Sequence, residues 1–197
     1  MARPRQFNRE ESLKNAMVIF WEKGYEATST DDLIDAMGIG RQSMYGAFSD
    51  KHKLYLEALE MYSATTGAEL FRRLYEAKSP FTALCNYILG IAEGTKTERA
   101  RGCMFVNAAV ELASSDPDVA EMIRTTNEKS RTAFERIISE GKRNGEVDSS
   151  VDEKIAAAYL FSTICGLRVS AKAGIPPTEL RLIAELALST LKPRKAK

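Results

Sequence analysis

Histidine is almost missing from this chain: among 197 residues there is one, His52. A Ser-His-Asp relay or a histidine-rich metal set therefore has little to work with, and a Cys103–His52 pair carries no sequence signature. Cysteine is scarce as well. Cys85, Cys103 and Cys165 are odd in number, widely spaced and form no C-x-x-C, which argues against a disulfide framework or a zinc site. The glycine loops that cradle phosphates, G-x-x-x-x-G-K-[ST] and G-x-G-x-x-G, do not occur. These absences predict no catalytic residues, no metal and no cofactor. Long apolar runs are missing too. The longest, Ile155 to Leu167, is about thirteen residues, contains Ser162 and Thr163, and falls short of the ~20 that cross a bilayer. The opening MARPRQFNREE lacks the apolar stretch of a secretory leader. The expectation is a cytoplasmic protein with no membrane contact. No stretch alternates like a strand, and no repeat or low-complexity tract is present. Excess charge is also lacking: the formal net charge is +1, so composition alone announces no nucleic-acid partner.

What the chain does have is helical periodicity. Leu13, Ala16, Met17, Phe20 and Trp21 recur at three- and four-residue intervals and predict a first helix over 9–23, stopped by Gly24. Thr28 or Ser29 can cap a second helix, with Asp31 and Asp32 in its first turn and Leu33, Ile34 and Met37 facing inward. Gly38 permits the positive φ of a tight turn, and a third helix spans 41–48 with Met44 and Phe48 inside. Further helices are expected from Ser49-Asp50 to about Lys78, from Pro80 to Gly94, from Cys103 to Ser114, from Asp116-Pro117 to Arg143, from Ser150 to Ala173, and from Pro177 to Leu191. The charged stretch 94–102 reads as a loop. The fold class is all-α, with about nine helices.

Two short helices joined at Met37-Gly38-Ile39 have the spacing of a helix-turn-helix, whose second helix enters the DNA major groove. Its leading residues, Gly40, Arg41, Gln42 and Ser43, are then candidates to meet bases. Arg41 suits guanine or a phosphate, and Gln42 suits adenine. Tyr45 and Lys51 can hold phosphates, the latter at the start of the fourth helix. Charge supports this only locally, through Arg3, Arg5 and Arg9 in the arm and Arg41, Lys51 and Lys53 around the second helix of the pair.

The segments G-Y-x-A-T-S (24–29), L-x-x-A-x-G-I (33–39) and S-M-Y-x-x-F-x-D-K (43–51) resemble, as a set, the N-terminal signature of the TetR/AcrR family of bacterial transcriptional regulators. They lie within residues 24–51; the remainder matches only in length and in its succession of helices. The resemblance implies a DNA-binding domain over 1–50 and a ligand-binding and dimerisation domain over 51–197. It implies an Ω-shaped homodimer on a palindromic operator of double-stranded DNA, with an unknown small-molecule effector enclosed by the fourth to seventh helices. Ligand there would shift the fourth helix and change the separation of the two reading heads, and repression is favoured over activation. Carried over by position, Thr28 would contact phosphate, Arg41, Gln42 and Ser43 would face bases or phosphates, and Tyr45 and Lys51 would anchor the backbone. Three positions depart from the family pattern: Gly40 stands in place of a capping serine, Ile34 in place of alanine, and Ala47 in place of histidine.

In the helical body, Cys103, Asn107 and Glu111 fall at i, i+4 and i+8 of one helix. This polar stripe either faces a cavity or bonds neighbouring helix ends. Cys103 at a helix start, near Arg99 and Arg101, also suggests an alternative function: a thiol-based sensor of electrophiles or oxidants. Tyr62, Phe71 and Phe134 are further effector-pocket candidates from their spacing. The last two helices carry wide apolar faces, and Ala157, Leu160, Phe161, Ile164, Arg168, Ile183 and Leu186 are the candidates for a homodimer interface. A small helical enzyme or a protein-interaction module is the rival class. An interaction module has no need of Arg41, Gln42, Tyr45 and Lys51 on one exposed edge.

Overall fold

The computed structural model describes residues 8–193, and every regular element within them is helical. Arg3 and Arg5 of the basic arm and the last four residues of the basic tail lie outside the described residues.

Capping side chains fix the helix ends. α1 (Arg9–Lys23) starts at Asn8, whose side-chain Oδ1 accepts the N–H groups of Glu10 and Glu11 at 3.1 and 3.2 Å. α2 (Thr30–Met37) starts on a reciprocal box. Ser29 Oγ accepts the Asp32 N–H at 3.0 Å, and the Asp32 carboxylate accepts the Ser29 N–H at 2.9 Å. Gly38, left-handed at φ 66°, ends α2 and turns the chain into α3 (Arg41–Phe48). α3 has no side-chain cap, because Gly40 has no side chain to give; such a cap is worth about 1 kcal/mol elsewhere. α4 (Lys51–Tyr62) begins at Asp50 and runs through a π-helical turn, Ser63–Gly67, into α5 (Ala68–Glu76). α6 (Pro80–Glu93), α7 (Lys96–Arg101), α8 (Met104–Leu112), α9 (Pro117–Arg143), α10 (Glu153–Lys172) and α11 (Pro177–Ser189) complete the order.

This succession matches the expected one with three differences. The charged stretch read as a loop holds α7, because Thr95 and Glu98 form a second capping box. The long fourth helix is interrupted by the π turn and ends at Glu76. α10 starts later than expected, since Asp152 rather than Ser150 caps it by accepting the Ile155 N–H at 2.9 Å.

Burial sorts the helices into two apolar clusters. The first joins α1, α2, α3 and α4 to α8 and the start of α9, around Phe20, Leu33, Met44, Tyr55, Met104 and Ala108. The second joins α5, α6, the far half of α9, α10 and α11, around Leu84, Ile88, Ile138, Leu160 and Leu180. The first cluster therefore crosses the expected boundary at residue 50: the N-terminal helices are not packed as an isolated unit.

One glycine is required twice over. Gly24 ends α1 at φ 84°, and a Cβ there would stand 2.7 Å from Glu111 Oε2. Gly24→Ala is expected to lower unfolding stability by about 1–3 kcal/mol through backbone strain and the clash. Gly46→Ala, in α3 with open space around the added atom, should raise it by about 0.5–1 kcal/mol because helical glycine is entropically costly. Urea midpoints of the two variants check this; shifts in the same direction would contradict it.

Candidate nucleic-acid interface and internal cavity

α3 presents one buried and one open side. Met44 and Phe48 are buried, while Arg41, Gln42, Ser43 and Gly46 are exposed and Tyr45 keeps 39% of its surface open. Arg41 pairs with Asp31 at 2.7 Å across the turn. Both groups are exposed, so that pair holds Arg41 only weakly and leaves it free to swing to another anion. Lys51 opens α4 with its Nζ 4.3 Å from the centroid of the Tyr25 ring, which steers the ammonium without neutralising it. Arg41, Gln42, Ser43 and Tyr45 thus make up the open edge of α3, and Lys51 is half-buried at the start of α4. Thr28 does not belong to that edge. It is fully buried, and its hydroxyl donates to the Gly24 carbonyl at 2.6 Å, so the expected phosphate contact by this side chain is corrected to an internal role.

The edge is held by α8. The Glu111 carboxylate accepts the N–H of Tyr25 at 3.0 Å and that of Glu26 at 2.7 Å, in the turn between α1 and α2. Asn107 Nδ2 donates to the Arg101 carbonyl at 3.0 Å and to the Trp21 carbonyl at 3.4 Å, while Trp21 Nε1 donates to the Gly102 carbonyl at 3.2 Å. The expectation that Asn107 and Glu111 line the effector pocket is corrected accordingly: the second reading of their stripe, bonds to neighbouring helix ends, is the one realised. Backbone N–H groups of the turn between α1 and α2 need an acceptor, and a carboxylate is a strong one, which turns the stripe that way. A second clip links α4 to α9, where His52 Nε2 lies 2.7 Å from Asp116 Oδ2. With Asp118 these side chains form a cluster of metal-type donors, but Asp116 is already committed: its other oxygen caps α9 on the N–H groups of Asp118 and Val119. Burial pushes the Asp116 carboxyl up. The Val119 N–H and the His52 ring outweigh it and hold the group below its ordinary range.

A cavity of about 620 Å³ lies where the two apolar clusters meet. Tyr62, Phe105 and Ile123 of the first cluster and Phe71, Phe134 and Ile164 of the second face it. Tyr62, Phe71, Cys103 and Phe134, the pocket candidates, all line it. Cys103, half-buried, is the N-cap residue of α8, and its Sγ receives the Tyr62 hydroxyl at 3.8 Å. Burial, with the Cys103 sulfur beside it, pushes Tyr62 well above its ordinary value, so the hydroxyl remains a neutral donor. Sequence reading missed Tyr87 and misplaced Arg168, both of which line the cavity. The signal was present: Arg168 is a lone charge inside the apolar run of α10.

The expected interface residues divide. Ala157, Leu160 and Ile164 are buried in the protomer's own second cluster, Phe161 packs against that cluster, and Arg168 turns to the cavity; these five are corrected. Ile183 and Leu186 are exposed, the latter at 71%, and are joined by Leu182 on α11. The open stripe of α10 is instead Ile155, Tyr159, Gly166 and Val169, one helical face displaced from the expected one. A shallow groove lined by Tyr159, Thr163, Gly166, Ile183 and Leu186 runs between the two helices.

Comparison with known proteins gives a consistent result. Residues 13–58 match the family described as "Bacterial regulatory proteins, tetR family", and residues 77–185 match "Tetracyclin repressor-like, C-terminal domain". The chain is 30% identical over 188 residues to the HTH-type transcriptional repressor ComR of Escherichia coli (strain K12), covering 94% of this chain and 90% of that protein. It is 30% identical to the HTH-type transcriptional regulator YezE of Bacillus subtilis (strain 168), covering 97% and 100%. Among solved structures, a cysteine-substituted form of the regulator CifR, complexed with 26-bp double-strand operator DNA, superposes with a TM-score of 0.82 at 28% identity. That match covers 96% of this chain and all of the other.

Burial gives two of the thiols a measurable property. Burial pushes Cys85 and Cys165 up to about 11. Each should then carry about a hundredfold less thiolate at neutral pH than a free cysteine, and react with iodoacetamide correspondingly slowly by peptide mass spectrometry. Labelling of either at the rate of a free thiol would contradict the burial assigned to it.

Proposed function

The chain belongs to the TetR family of bacterial regulatory proteins, and from that membership we propose that it is a ligand-responsive transcriptional repressor, acting as a homodimer on a palindromic operator. The single observation that carries the reading is the open edge of α3. Arg41, Gln42, Ser43 and Tyr45 are exposed together while Met44 and Phe48 lock the same helix to the body. A helix fixed from behind and bare in front is what major-groove reading requires.

The roles divide at about residue 50, with residues 1–50 reading DNA and residues 51–197 binding effector and partner, although the packing crosses that line. A second copy of the chain covers the exposed stripe of α10 and α11, which is too apolar to face water over Ile155, Val169, Leu182 and Leu186. Two reading heads then meet successive major grooves. The effector occupies the cavity. Among the described residues no helix is long and apolar enough to cross a membrane, and the proposed place of action is the cytoplasm. A thiol-sensing alternative draws on one observation, the position of Cys103 in the cavity wall beside Tyr62. Loss of effector response in Cys103→Ser, with operator affinity intact, would favour it.

Electrophoretic shifts with DNA from the protein's own upstream region test the main reading. Binding should weaken steeply with salt. Lys51→Ala should weaken binding to all sequences and reduce the logarithmic salt slope by about one. Arg41→Ala or Gln42→Ala should cost about 1–3 kcal/mol and relax the preference at particular base pairs. Variants that bind like the parent would overturn the assignment of this edge.

A further inference from the structure

Resting on the regulator reading above, we propose that the effector is an organic carboxylate on an apolar body, with its charge met by Arg168. The cavity wall contains no aspartate and no glutamate; its ionised groups are Arg168 and Lys129. Lys129 is exposed, whereas Arg168 sits in mid-α10 between buried Leu167 and half-exposed Val169. Its neighbours are sparing. One guanidinium nitrogen donates to the Tyr87 hydroxyl at 3.4 Å, and the guanidinium carbon lies 5.8 Å from the centre of that ring. Among the described residues, no carboxylate comes within ion-pairing distance of Arg168, although Arg72, Arg101, Arg124 and Arg181 all have one. Glu98 feels the Arg168 charge, but its carboxylate is committed to the Thr95 cap.

A guanidinium drawn out of water without a counter-charge is costly, and it presents five N–H donors in a fixed fork that fits a carboxylate two-to-two. Tyr87 and the neutral Tyr62 hydroxyl stand at the same region of the wall as further donors. The rest of the space is apolar, bounded by Leu70, Phe71, Phe105, Phe134 and Phe161. A cavity of about 620 Å³ suits a small molecule whose body fills the apolar part. The charge pattern excludes amines, which would meet two cations and no anion.

Calorimetric titration of the full chain with matched probes tests this. The pairs are 4-phenylbutyrate against 4-phenylbutan-1-ol and decanoate against decan-1-ol, with 4-phenylbutylamine as the cationic control. Each acid should bind at least about tenfold tighter than its alcohol, the range expected when a charge-assisted hydrogen bond replaces a neutral one. Arg168→Met should abolish that gap, and Arg168→Lys should keep part of it. A melting curve shows whether the methionine variant folds; if it does not, the lysine variant and the wild-type comparison decide. Equal binding of acids and alcohols, tighter binding of the amine, a gap that survives in folded Arg168→Met, or no binding by any probe would each overturn the proposal. Operator binding is measured on the same samples. Its failure counts against the regulator reading, while the acid preference is read without DNA.

Discussion

The structure depends on one carboxylate. Glu111, on the outer side of α8, accepts two backbone N–H groups from the turn that joins α1 to α2. Those donors lie in the turn between two helices, outside either helix's own hydrogen-bond ladder, and need an acceptor. A charged acceptor is roughly twice as strong as a neutral one in that place. The clamp requires close approach, and Gly24 supplies it by lacking a side chain and by adopting φ 84°. Asn107 repeats the device one turn earlier on α8, holding the carbonyls of Trp21 and Arg101. The polar stripe of α8 is thus a row of clasps that fastens the reading head to the body.

The same helix has its other interest in the cavity. Cys103, Phe105, Val106 and Ala109 help to line it, while Asn107 and Glu111 point to the head. A molecule that displaces α8 by a fraction of an ångström is felt at the turn before α2. α4 offers a parallel route, since Tyr62 at its far end faces the cavity and Lys51, the proposed phosphate anchor, opens it. The π turn after Tyr62 places a weak point in that rod beside the cavity. Placing the cavity at the seam of two apolar clusters makes this economical: filling a seam changes how two packed bodies meet without unfolding either. Coupling of about 1–3 kcal/mol is enough for regulation of this kind.

Much of this was legible in the sequence, and the misses share a cause. Periodicity located the helices because burial dictates it, and the helix-turn-helix could be read because Gly38 and the alternation of inner and outer residues are local. Thr28 was misread because local sequence cannot tell a cap facing solvent from a hydroxyl buried against the Gly24 carbonyl. Arg168 and the apolar residues of α10 were misassigned because an all-round apolar helix does not declare which stripe meets its own core. Asn107 and Glu111 were ambiguous for a related reason. Their partners, Trp21, Tyr25 and Glu26, lie more than eighty residues away in sequence. α7 was missed against a local signal, the Thr95/Glu98 box, which the density of charge around it concealed.

Hydrogen exchange at the amides of Tyr25 and Glu26 tests the central claim most directly. In the wild-type protein both should be protected, and in Glu111→Ala both should exchange quickly while amides within α4 and α10 keep their protection. Operator affinity should fall together with that protection. If the two amides exchange at the same rate with and without the carboxylate, α8 does not hold the reading head, and the route from cavity to DNA described above is wrong.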